Sequence, residues 1–161
     1  MEADRQSTIP HLTLDSYNIA VSKPAAFDGA TTNARGDDGG TNDPFTLFTV
    51  TGDVLVRIIA VCTALLDADG AATLEVGVAN NTASLIAQTT ATGIDANEIW
   101  NDTSPVLGVE LLSNITGPHI IVNGLDIIEI VATANITEGQ IYYICLWRPL
   151  TPGSTVIGLS E

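Results

Sequence analysis

Beyond residue 44, apolar and polar residues alternate over short runs. From Val54 to Thr63 the alternation is clearest: Val54, Val56, Ile58, Ala60 and Cys62 face one way, and Leu55, Arg57, Ile59, Val61 and Thr63 the other. A period of two is the signature of a strand, because successive side chains leave a pleat on opposite faces. Similar runs predict strands at Phe45–Val50, Thr73–Ala79, Ser84–Thr90, Val106–Leu112, His119–Val122, Ile127–Thr133, Ile141–Arg148 and Val156–Leu159. Turn signals separate them: Asp67-Ala68-Asp69-Gly70, Asn80-Asn81 and Asn123-Gly124, the last a hairpin signal because both positions tolerate positive φ. Ile94–Trp100 is the one stretch that reads as a short helical turn. Ile127–Thr133 and Ile141–Arg148 match in length and are expected to pair.

Short strands with turns every 8–12 residues predict an all-β fold. The expectation is an antiparallel β-sandwich, jelly-roll-like, of about eight strands. Composition agrees: Val, Ile and Thr make up close to a third of the chain, and β-branched side chains suit a pleated surface. At 161 residues the chain is long enough for one such domain without a staple.

Residues 1–44 read differently. Asp, Gly, Thr, Asn and Ala dominate, and apolar residues come singly, with Leu12, Leu14, Ile19 and Val21 alternating like a short strand. Gly29, Gly36, Gly39, Gly40 and Pro44 break the stretch from Asp28 onward into loop. The chain thus divides into an extended N-terminal arm with a Gly/Asp-rich loop (1–44) and a sandwich domain (45–161). Met1 to Pro10 lacks the basic start and apolar run of a secretory signal. The expectation is a protein that stays where it is made or leaves by lysis.

Two strands go beyond fold class. Val54–Thr63 and Ile141–Arg148 are apolar on both faces, with Ile141, Tyr143, Cys145 and Trp147 on one side of the second and Tyr142, Ile144 and Leu146 on the other. A one-sided antiparallel sheet would carry polar residues on its second face. Something covers that face: the arm, a short helix or another subunit. Arg57, Tyr142, Ile144, Trp147 and Arg148 are therefore candidate interface or core residues. Arg57, in mid-strand, is expected to pair with an acid within the subunit or across an interface, since an unpaired charge there is costly.

Charge narrows the function. Nineteen acids stand against five bases, a net charge of −14. Such a chain has no counterion release to drive nucleic-acid binding, and no apolar run is long enough for a membrane helix. Catalytic signals are absent from the sequence. It contains no G-x-S-x-G and no phosphate-binding glycine loop, and its two histidines, His11 and His119, have no evident nucleophile partner. The reading is a non-enzymatic protein without cofactor. Asp67-Ala68-Asp69-Gly70 lacks the rest of a calcium loop, and no Cys/His cluster suits a metal. Cys62 and Cys145, each inside an apolar run, read as buried free thiols, with a disulfide as the alternative. Asn-x-Thr triplets such as Asn114-Ile115-Thr116 read as turn residues, and Arg35-Gly36-Asp37 as a chance match to an adhesion tripeptide.

The run from Phe48 to Val61 (Phe-Thr-Val-Thr-Gly-Asp-Val-Leu-Val-Arg-Ile-Ile-Ala-Val), Ala71–Ala79 and Ile94–Trp100 resemble small β-rich proteins that tailed bacteriophages encode near their head genes. The likeness spans roughly residues 45–149 and is closest in style to head decoration, or cement, proteins. It implies a virion structural protein on the capsid surface, made in the host cytoplasm, forming a homotrimer and binding the major capsid protein. In that picture Ile9, Leu12, Leu14 and Tyr17 of the arm grip the shell by adding a strand or filling a groove. The alternative is a receptor- or carbohydrate-binding head or tail module, which calls for an exposed aromatic platform at Trp100 or Trp147.

Overall fold

The computed structural model describes residues 17–159. Ile9, Leu12 and Leu14 lie outside the described residues. The rest is nearly all β, with two antiparallel sheets packed face to face. Eleven strands occur among the described residues: β1 (Asn18–Ser22), β2 (Phe45–Thr51), β3 (Val54–Ala68), β4 (Thr73–Val78), β5 (Asn81–Thr90), β6 (Glu98–Trp100), β7 (Val106–Leu107), β8 (His119–Ile121), β9 (Ile127–Ala132), β10 (Ile136–Pro149) and β11 (Thr155–Gly158). The first sheet runs β1-β10-β3-β6-β7, with β8 also paired to β3; the second runs β11-β2-β9-β4-β5. Neighbours in each sheet are therefore mostly distant in sequence.

The two inner faces make one core. Val54, Val56, Ile58, Ala60 and Cys62 of β3 are buried there, as the alternation requires, beside Ile141, Tyr143 and Cys145 of β10. Phe48 and Val50 of β2, Leu74 and Val76 of β4, and Ile127 and Val131 of β9 face them from the other sheet. Both cysteines are free and buried. Burial pushes the Cys62 thiol up to about 11 and raises that of Cys145 further. In register Cys62 lies opposite Ile141, and Cys145 opposite Ile58.

Several local expectations change. The described part of the expected arm belongs to the sandwich, not to an appendage before residue 45. Residues 18–22 pair with β10 from Asn18↔Trp147 to Ser22↔Tyr143. Residues 23–44 fold back onto the sandwich, where Gly29 N–H donates to Ile136 O and Ile136 N–H to Gly36 O, both at 2.9 Å. Ile94–Trp100 is not a helical turn: a single 3-10 turn falls earlier, at Ala91–Gly93, and Glu98–Trp100 is a strand. Val106–Leu112 keeps only two strand residues before Gly108 turns the chain at φ 74°. Asn123 and Gly124 do adopt positive φ (59° and 65°), yet their turn carries the chain from β8 in one sheet to β9 in the other. Likewise β9 and β10 do not pair; they sit in opposite sheets, β10 between β1 and the long β3, and β9 between β2 and β4.

Candidate assembly interface

The outer face of the first sheet can be read off its register. Four rows cross it: Val21–Ile144–Ile59, Ile19–Leu146–Arg57, Tyr142–Val61–Ile99, and Arg148–Leu55–Ile120. No Asp or Glu stands in any row, although the chain has nineteen acids. The charges there are Arg57 and Arg148, and Lys23 follows β1 at its margin. The second sheet presents a mixed exterior, in which Thr46, Thr49, Thr51, Thr73, Glu75 and Thr155 stand at outward positions beside Ile128, Ile130 and the exposed Ile157. The doubly apolar strands expected from sequence thus lie side by side as β3 and β10 and share one outer surface.

That surface has relief. Toward β1 lies an open depression of about 480 Å³, lined by Val21, Lys23, Thr63, Gln140, Tyr142 and Ile144. Toward β7 the chain leaves the sheet in a loop whose apolar side chains point to solvent: Leu107 is 69% exposed, Val109 80% and Leu111 66%. The loop is tied back by Arg57, whose Nη1 donates to Leu112 O (3.3 Å) and Ile115 O (3.0 Å). Among the described residues, then, Arg57 takes backbone carbonyls and not the acid expected of it. Beyond the loop, His119 opens β8; burial, and then Arg57, hold its imidazole below the ordinary range.

The candidate residues divide. Arg57, Tyr142, Ile144 and Arg148 share the outer face, and Arg148 stands over the Tyr17 ring at 6.0 Å. Trp147 points the other way and packs against the core. Trp100 is fully buried, its Nε1 donating to Thr89 Oγ1 at 3.0 Å. Neither tryptophan forms an exposed platform.

Sequence reasoning missed a polar cluster inside the sandwich. Arg35 reaches in from the 23–44 loop and meets Glu129 of β9, Nε to Oε1 at 2.9 Å and Nη2 to Oε2 at 2.6 Å. Tyr143 Oη donates to Glu129 Oε2, and Arg35 Nη1 donates to Ala25 O at 2.6 Å. The guanidinium lies over the Phe27 ring at 3.8 Å. Burial works against the Arg35 charge, and Glu129 outweighs it, holding the group above its ordinary value. Burial, then Glu129, raises Tyr143 well above the phenol range. The signal was present: in Ile127-Ile128-Glu129-Ile130-Val131 the alternation puts Glu129 on the core side, and a buried carboxylate needs a cation. Its Arg, the first residue of the adhesion-like tripeptide, is 4% exposed and has no reach to a receptor.

Among the described residues no group of three or more His, Cys, Asp or Glu side chains could hold a metal ion, and no helix is long and apolar enough to cross a membrane. No family model, curated protein or solved structure matches the chain.

Proposed function

We propose that the chain is a non-enzymatic structural protein of a phage particle, a decoration or cement protein that binds the outside of the major capsid lattice as a homotrimer and stabilises it. The observation that carries the assembly half is the set of four apolar, acid-free rows on the outer face of the β1-β10-β3-β6 sheet, on a chain of net charge −14. An apolar surface of this kind on an otherwise strongly charged protein is worth hiding, and a closed homo-oligomer is the common way to hide it. The capsid half rests on the likeness of residues 48–61, 71–79 and 94–100 to phage head proteins. Strand order supports the finer fold reading. The pairs β1/β10, β2/β9, β3/β8 and β4/β5 nest inside one another, the order left when a long antiparallel ribbon wraps into a jelly roll.

In this reading the work is mechanical. The sandwich is a rigid spacer, its apolar face joins the copies, and residues 1–16, with Ile9, Leu12 and Leu14, supply the grip on the shell. Three weak grips act together through effective concentration. Two measurements test it. Light scattering of the purified chain is expected to give three times the 16.8 kDa chain mass. Mass spectrometry of gradient-purified particles from a culture carrying the coding sequence is expected to find the chain in the head fraction. A monomer in solution overturns the trimer, and absence from particles overturns the virion role.

A further inference from the structure

We infer that the contact between copies is head-to-tail: the apolar ridge at Leu107–Leu112 of one copy seats in the depression between β1 and β10 of the next. The inference rests on the homotrimer reading and names the surfaces that make it.

The ridge and the depression lie on opposite margins of one sheet, since β7 ends the order β1-β10-β3-β6-β7 and β1 begins it. The depression spans β1, β10 and Thr63 of β3, β7 lies two strand spacings of about 4.8 Å beyond β3, and no residue of 107–112 lines the depression of its own copy. A convex and a concave patch at the two margins of one face make a heterologous pair, which closes into a ring when the rotation fits. The chemistry matches. The ridge offers Leu107, Val109 and Leu111 to solvent, with Glu110 set among them. The depression offers Val21, Ile144 and the Tyr142 ring, with Lys23, Thr63 and Gln140 beside them. On a chain of net charge −14, a recess that has a lysine and no acid in its lining is complementary to an apolar segment carrying one acid. The ridge is also held in shape, because Arg57 fixes Leu112 and Ile115 by their carbonyls, and Glu110 Oε1 accepts from Leu111 N–H (2.8 Å) and Asn114 Nδ2 (2.7 Å). A preordered segment loses less entropy on docking.

Mixing two defective chains tests the geometry. The ridge variant Val109→Asp/Leu111→Asp keeps an intact depression. The face variant Val21→Asp keeps an intact ridge, and Lys23→Glu serves as a second face variant at an exposed position. Circular dichroism melts establish that each is folded. By light scattering each variant alone is expected to fall from three chain masses to one. An equal mixture of ridge and face variants is expected to give two chain masses, because one good contact joins one intact ridge to one intact depression. A mixture that stays at one chain mass, or single variants that remain trimeric, overturns the head-to-tail contact while leaving the trimer standing. A wild-type chain that is itself monomeric fails the trimer reading first.

Discussion

Arg35 and Glu129 form a two-bonded ion pair inside the sandwich, with side chains only 3% and 1% exposed. One comes from a Gly/Asp-rich loop and the other from the middle of β9, so the pair fastens the 23–44 segment to the core. Removing one member strands the other in a dry site. Arg35→Ala is expected to cost about 3–5 kcal/mol, read as a lower urea midpoint with an unchanged slope. The double change Arg35→Met/Glu129→Leu is expected to cost less than either single change, since no charge is left unpaired. A loss under about 1 kcal/mol for Arg35→Ala would show the pair to be dispensable.

Tyr143 adds a third member, donating its hydroxyl to Glu129. A hydrogen bond to a charged group contributes about 1.5–3 kcal/mol. Tyr143→Phe keeps the ring and its core contacts and is expected to lose that amount in denaturant unfolding, less than Arg35→Ala. A loss as large as that of Arg35→Ala would place the phenol, and not the guanidinium, as the main partner of Glu129.

The sheet faces were legible in the sequence and the sheet partners were not. Alternation along Val54–Thr63 and Ile141–Arg148 assigned each residue to its face, because the period of a strand is a local property. Pairing depends on contacts distant in sequence, so equal length misled for β9 and β10, and Asn123-Gly124 marked a turn without saying that the turn changes sheets. Residues 23–44 looked like a tether because their apolar residues are few. Arg35 and Phe27, 3% exposed, enter the core, and main-chain bonds to Ile136 and Gly139 tie down the rest. The apolar ridge was hidden for the opposite reason: Val106–Leu112 reads as a strand, and only Gly108 at φ 74° turns its side chains out of the sheet.

His119 sets a pH dependence of definite sign. Its folded pKa lies below the ordinary 6.5, through burial and then Arg57. The unfolded chain therefore takes up this proton first as pH falls. The contribution is fully present above 6.5 and is lost as pH drops from there through the folded value. Protonation of carboxylates acts at the same time by relieving the −14 charge, so the comparison is with His119→Gln. The difference in Tm between wild type and His119→Gln is expected to shift against the wild type between pH 7 and pH 5. A constant difference over that range would mean the imidazole titrates alike in both states.

Arg57 answers to two carbonyls, Leu112 O and Ile115 O, and those bonds hold the loop after β7 against the outer face. The strand around it stays paired to β10 through main-chain bonds, with Arg57 opposite Leu146. Arg57→Met keeps the aliphatic stem on the sheet and removes only the donors. The expected result is local: faster amide hydrogen exchange over residues 108–116, little change in β3 and β10, and a global loss of about 1–3 kcal/mol. Because the ridge is then less ordered, self-association weakens as well, which light scattering over a dilution series would read as a higher dissociation midpoint. Unchanged exchange in the loop would mean that the Thr116 hydroxyl, which donates to Leu85 O and Asn101 O, holds this segment unaided.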